Sequence, residues 1–320
     1  MKVIREQPAG TGLALASFAY DNLGRRTSLS RGNGMVTDYA YDPVSRLATL
    51  TQNLSGTAQD QTYAFSYTPA SQIAARTGTN AAYDTPAPLN GTITYLRNGL
   101  NQYFADGAFS YDARGNLTAT LSASYGYDVF NRLTNAGTMT LAYDAAGRLR
   151  ETVTGTTTTR FLYDGADMIG EYNASNALLR RYVSGPGSDE PLVWYEGAGT
   201  SDRRWLVADE RGSVVAVTNG AGAASFINSY DEYGTPGPSN LGRFQYTGQA
   251  WLPEAQLYHY KARAYTPSLG RFLQTDPIGF AGGTCQISAL ESSWRTESPP
   301  NSAVRHYPPL SAFVVKNRAK

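Results

Sequence analysis

The groups in this chain that could do chemistry are carboxylates. Asp276 stands in its most distinctive stretch, Gly270-Arg271-Phe272-Leu273-Gln274-Thr275-Asp276-Pro277-Ile278-Gly279. Two carboxylates that share a proton can hydrolyse a peptide bond, because close like charges push their pKa values apart and leave one acid and one base. Asp276 can supply one of the pair. No aspartate follows it, and the remaining acids are Glu291 and Glu297, in a polar stretch broken by prolines. Asp276 also has a plain structural use. Asp, Pro and Gly stand at the first, second and fourth positions of a type I turn. Pro277 donates no backbone hydrogen bond and so ends any central strand.

Other chemistries find less support. His259, between Tyr258 and Tyr260, reads as a strand residue rather than a base, with no Ser or Cys nucleophile and orienting acid nearby. Cys285 is the single cysteine, so no intramolecular disulfide or Cys-based zinc site is available. The only histidines are His259 and His306, which argues against a His-rich metal site. No Gly-Lys-Ser/Thr run cradles phosphate, and no cofactor is expected. A net charge of +1 gives no reason to expect nucleic acid as a partner. Leu13-Ala14-Leu15-Ala16 is too short for a signal h-region, and no apolar run approaches the ~20 residues of a membrane helix. Export as cargo of a machine that reads no N-terminal signal stays open.

These residues must be positioned by strands. The unusual entries in the composition are Tyr 23 and Gly 32, a strand former and a turn former. An internal repeat explains both. Its copies include Phe18-Ala19-Tyr20-Asp21-Asn22-Leu23-Gly24-Arg25, Tyr39-Ala40-Tyr41-Asp42, the degenerate Phe65-Ser66-Tyr67-Thr68 and Phe109-Ser110-Tyr111-Asp112. Tyr125-Gly126-Tyr127-Asp128, Leu141-Ala142-Tyr143-Asp144 and Phe161-Leu162-Tyr163-Asp164 follow. Tyr111, Tyr127 and Tyr143 recur at one constant interval of about 16 residues. Aromatic-x-Tyr puts two large side chains on one strand face. Asp opens a turn, Gly closes it three residues later, and Arg-Leu begins the return strand. The aspartates lack the Asp-x-Asp-x-Asp-Gly spacing of a calcium loop, so they read as turn formers, with turns at Asp21–Gly24, Asp112–Gly115 and Asp144–Gly147. A lone hairpin is marginal in water, so the hairpins must stack. The prediction is all-β: repeated antiparallel β-hairpins in one curved or spiralling sheet.

From Met168 the repeat loosens. Glu171–Val183 reads as a hairpin, 184–189 as a loop, Pro191–Glu196 as a strand, and Trp205–Val217 as a hairpin turning on Asp209–Gly212. Ser225–Tyr230 and Leu257–Tyr265 read as further strand segments. Short helices are expected at Ala250–Glu254 and Ser288–Trp294, and Arg271–Thr275 alternates as a strand would.

The Tyr-Asp-x-x-Gly-Arg-Leu copies resemble the Rhs family of YD-repeat proteins, related to toxin-complex C components and teneurins. The run from Trp205 to Gly283 is similar to the Rhs repeat-associated core. It carries Tyr246-Thr247-Gly248-Gln249, Leu257-Tyr258-His259-Tyr260, Arg263-Ala264-Tyr265, Gly270-Arg271-Phe272 and Asp276-Pro277-Ile278-Gly279 in order. The resemblance covers roughly residues 10–283. It implies a sheet ribbon that spirals into a shell around a C-terminal toxin, and self-cleavage after the core by one arginine and two aspartates. By motif the arginine falls on Arg263 and the first aspartate on Asp276. The later Asp-Pro-x-Gly that carries the second is absent.

This reading gives a YD-repeat region over 1–170, a core region over 171–283 and an unstructured, non-family tail over 284–320, with upstream repeats missing. The expected role is a structural shell segment of an Rhs-type toxin system, an incomplete copy without toxin. The self-cleaving activity is expected to be lost, so the chain is not expected to be an enzyme. The implied partners are remaining shell segments or a C-terminal toxin, with secretion machinery a further candidate. The alternative is a carbohydrate-binding or adhesion module, which would show exposed tyrosines in rows.

Overall fold

The computed structural model describes residues 2–6, 12–85, 96–104 and 108–277. Within them the chain is strand and turn, with three single-turn 3-10 segments and no α-helix. No helix there is long and apolar enough to cross a membrane. The all-β, antiparallel hairpin architecture read from the repeat is the one observed. The expected helix at Ser288–Trp294, the 284–320 tail and the second half of the Asp276–Gly279 turn lie outside the described residues.

Seven strands, from Lys2–Arg5 to Ile73–Gly78, pair in chain order as one antiparallel sheet. Eleven more, from Tyr125–Tyr127 to Ala224–Ile227, form a second. Short hairpins, Leu96–Arg97 with Tyr103–Phe104 and Ser110–Tyr111 with Leu117–Ala119, lie between them. Four strands, Ala250–Leu252, Leu257–Tyr260, Arg263–Thr266 and Arg271–Phe272, make a last sheet. In neither long sheet does the first strand meet the last, so both are open. Residues 170 and 171 fall within one strand, Asp167–Asn173.

The turns form as the residue types dictate. The Asp144 carbonyl accepts from Gly147 N–H, and Gly147 takes φ 79°, a left-handed backbone that glycine adopts without strain. Asp144 Oδ1 accepts from Ala146 and Arg148 N–H at 2.9 Å each, while Oδ2 accepts from Arg148 Nε at 2.7 Å. The Arg148 backbone N–H, against desolvation and with the Arg148 side chain, holds the Asp144 carboxyl below its ordinary value. Asp21, Asp42 and Asp128 repeat the arrangement with Arg25, Arg46 and Arg132.

Neighbouring repeats are then fastened. Each turn arginine lies over the tyrosine of the next repeat: Arg25 over Tyr41 at 4.5 Å, Arg46 over Tyr67 at 4.6 Å, Arg132 over Tyr143 at 5.0 Å. That tyrosine's hydroxyl donates back to the preceding return strand: Tyr41 to Arg26 O at 2.8 Å, Tyr67 to Leu47 O at 2.6 Å, Tyr143 to Leu133 O at 2.9 Å.

The four-stranded sheet is the centre of the molecule, and its alternation is complete. Ala250, Leu252, Leu257, Ala264 and Leu273 join one apolar cluster with the inner face of the long sheet, including Leu133, Leu149 and Val217. Trp251, Tyr258, Tyr265, Tyr260 and Phe272 face the other way, into a cluster with Met35, Tyr83, Val215 and Tyr246. This explains why Ala250–Leu252 is a strand and not the expected helix: small and aromatic side chains alternate and need opposite faces. The strand expected over Arg271–Thr275 is paired only at Arg271–Phe272.

The long sheet curves around this centre. A flat eleven-stranded sheet would be about 48 Å across. Yet the last quarter of the chain touches it near both ends: Leu117 N–H donates to Leu273 O at 2.8 Å just before its first strand, and Val214 N–H donates to Gln245 O at 3.0 Å in its tenth. The seven-stranded sheet packs on the outer face, where Trp205 Nε1 donates to Leu15 O at 2.9 Å and Gln52 Nε2 to Ala208 O at 2.8 Å.

Candidate functional site

Arg263 opens its strand after a two-residue turn, Lys261-Ala262, with Tyr260 paired opposite it. Asp276 follows the last strand. Two bonds hold this segment beside Arg263–Thr266: Leu273 N–H donates to Ala264 O at 2.9 Å, and the buried Gln274 Oε1 accepts from Ala264 N–H at 2.8 Å. The result is an ion pair, Arg263 Nη2 to Asp276 Oδ2 at 3.0 Å. The guanidinium also lies over the Phe272 ring, 3.7 Å from its centre. Desolvation lowers the Arg263 pKa, and the Asp276 carboxylate opposes that shift. The structure therefore brings together the two residues singled out in the sequence.

The segment is docked from outside as well. Arg271 Nη1 and Nη2 bond Asn101 O and Oδ1, and its guanidinium lies 3.6 Å from the Tyr103 ring centre. Thr275 N–H faces Asn116 Oδ1 at 3.4 Å, beside the Asp112–Gly115 turn. Among the described residues, no cluster of three or more His, Cys, Asp or Glu could hold a metal ion. Glu291, Glu297, Cys285 and His306 lie outside the described residues. An arginine-held carboxylate of this kind orders a chain segment. A second carboxylate would be needed for acid–base hydrolysis.

His259 sits on the aliphatic face of its sheet, with Tyr143 as its ring neighbour at 6.4 Å, and is buried. Burial, with Lys261 adding a smaller push, lowers its pKa to about 4.

Two buried charge clusters escaped the sequence reading. Glu171 accepts from Arg243 Nε at 2.7 Å and Nη2 at 3.1 Å, from Tyr182 Oη at 2.7 Å and from Arg180 Nη1 at 3.2 Å. It ties the long sheet to the loop before the central one. Arg76 Nε lies 2.9 Å from Glu210 Oε1, and Arg211 Nη2 lies 3.6 Å from Asp209 Oδ2, where the Asp209 turn meets the seven-stranded sheet. Each cluster is completed by an arginine far away in the chain, Arg243 for Glu171 and Arg76 for Glu210, so no local spacing announces it.

A model of the teneurin YD-shell family matches residues 89–283, more than half of the chain. Solved structures show a similar fold. The crystal structure of TcdB2-TccC3-TEV aligns with 88% of this chain at TM-score 0.62 and 15% identity. The Photorhabdus luminescens Tc holotoxin pore aligns with 88% at TM-score 0.63 and 15% identity. These alignments cover 19% and 18% of those chains. The uncharacterised protein YibJ of Escherichia coli (strain K12) is 36% identical over 80 residues, 23% of this chain and 34% of YibJ. The chain thus spans about a third of that curated relative and under a fifth of the solved chains.

Proposed function

Because the chain belongs to the teneurin YD-shell family, we propose that it is a shell segment of an Rhs-type toxin system, whose intact form encloses a C-terminal toxin. Its partners are the remaining shell segments and that toxin. The observation that carries this reading is the use made of the repeat tyrosines. Tyr41, Tyr67, Tyr127 and Tyr143 spend their hydroxyls on carbonyls of the preceding repeat. A wall built this way is stiff, with each of these repeats fastened to the one before.

The adhesion reading calls for rows of exposed aromatics. Among the described residues the strongly exposed large apolar side chains are mostly turn residues such as Leu23, Val44, Val129 and Phe130. The exposed tyrosines, Tyr20 and Tyr233, belong to distant hairpins.

Within the shell reading, Arg263 and Asp276 are the counterpart of the family's self-cleaving site, reduced to a clamp. Arg263 keeps Asp276 paired, and no later aspartate follows in the sequence to divide the roles of acid and base. The clamp fixes where the chain leaves the central sheet.

The reading is tested by fusing an unfolded, protease-sensitive reporter after Lys320 and digesting the fusion in whatever assembly it forms, against the free reporter. A shell segment slows reporter cleavage. Cleavage at the free rate in every assembly, together with saturable binding on a glycan array, contradicts the reading and favours adhesion.

A further inference from the structure

A cavity of about 250 Å³ opens between the Asp144 turn, the Gly165-Ala166 turn, the loop before Pro191 and the Lys261-Ala262 turn. Its walls include Met168, Phe244 and Ala250, and its polar lining includes Tyr163, Asp167 and His259. Tyr163 stands where the next fastening hydroxyl should be. Arg148 lies over its ring at 5.2 Å as the pattern requires. Its hydroxyl, however, is buried with no hydrogen-bond partner among the described residues.

The cations of the rim are already engaged. Arg148 is held by Asp144 at 2.7 Å and by Gly165 O at 2.8 Å, and Lys261 by Asp189 at 2.8 Å. Glu190 is paired with Arg26. The polar groups left over can each accept a hydrogen bond. His259 is 8% exposed, and its imidazole makes no hydrogen bond within the described residues. Asp167 makes no ion pair there, and desolvation raises its pKa above the ordinary value. At neutral pH the His259 ring is uncharged, so one ring nitrogen accepts.

We propose that this cavity binds an alkylammonium group, its three N–H donors shared among His259, Tyr163 and Asp167 and its methylenes laid against Met168 and Phe244. An ammonium has three donors and no acceptor, which matches an imidazole nitrogen, a phenol oxygen and a carboxylate. The aromatic rings of Tyr163 and Phe244 add cation–π attraction. The same chemistry is carried by a lysine side chain and by a free diamine.

The chain has only two histidines, His259 and His306, so histidine-selective nitrogen-15 labelling isolates the site by NMR. The full chain is titrated at neutral pH with N-acetyl-lysine N-methylamide, with 1,5-diaminopentane and with 1-pentanol. A saturable shift of the His259 signals with an amine and none with pentanol is expected, and the tighter amine identifies the source. Asp167→Asn, at a half-buried hairpin end, should weaken amine binding about tenfold or more, and Tyr163→Phe should weaken it several-fold. No saturable shift with either amine overturns the proposal. So does equal binding of pentanol, or unchanged amine affinity in Asp167→Asn.

Discussion

The Tyr143 hydroxyl donates to the Leu133 carbonyl at 2.9 Å, across the boundary between two repeats. The Arg132 guanidinium lies over the same ring at 5.0 Å and is itself bound by Asp128. One tyrosine therefore reads two features of the previous repeat, its turn and its return strand. This is the local device that makes a ribbon from hairpins that would not stand alone.

Removing only that hydroxyl should cost little. Tyr143→Phe is expected to lose about 1 kcal/mol, one hydrogen bond. Tyr143→Ala removes the ring as well and should lose about 3–5 kcal/mol. Urea denaturation of the two variants checks the ranking, and equal losses would show that the ring carries nothing.

The buried acids should give opposite pH responses. Arg243 and Arg180, with the Tyr182 hydroxyl, outweigh desolvation and hold the Glu171 carboxyl below its ordinary 4.5. Its stabilisation is complete above that value and is lost as pH falls through the depressed pKa. Desolvation and Asp209 hold Glu210 above 4.5, against Arg76 and Arg211. Its Oε2 has no hydrogen-bond partner among the described residues, which supports that direction. Glu210 therefore stabilises at low pH and loses that contribution as pH rises through its raised pKa. Glu210→Gln should gain on the parent chain in melting temperature as pH rises above 4.5. Glu171→Gln leaves Arg243 without its carboxylate, should cost about 3–5 kcal/mol near neutral pH, and should recover part of the difference below 4.5.

Among the described residues, both open sheets end in edge strands with no further strand beside them. Lys2–Arg5 and Ile73–Gly78 bound one sheet, Tyr125–Tyr127 and Ala224–Ile227 the other. Such edges invite pairing with other chains, so the isolated chain should form oligomers or aggregates. Light scattering that reports a compact monomer would count against this.

Much of this fold was legible because its signal is local. Asp, Gly and Arg at fixed spacing specify each turn, and the Asp209–Gly212 hairpin and the Pro191–Glu196 strand are found where the residues place them. The same turn also hides under other residues. Asn173 and Asn219 accept from the backbone as Asp does, through Ser175 N–H at 3.0 Å and Ala221 N–H at 2.9 Å. Asn176, with φ 59°, takes the place of glycine. Arg263 and Asp276 were legible through a motif, and the structure brings them into contact. Gln274 and Arg271, which position them, carry no motif of their own. The Glu171–Arg243 pair joins positions far apart in sequence, and only the folded sheet brings them within reach.

As a structural clamp in a shell wall, the Arg263–Asp276 pair should leave the chain uncut. Intact mass spectrometry of the purified chain, held for days at neutral pH, tests it most directly. The expected mass is that of the full 320 residues, with Asp276→Asn likewise uncut. A product ending near residues 283–300, formed by the parent chain and abolished in Asp276→Asn, would contradict it and show a live self-cleaving site.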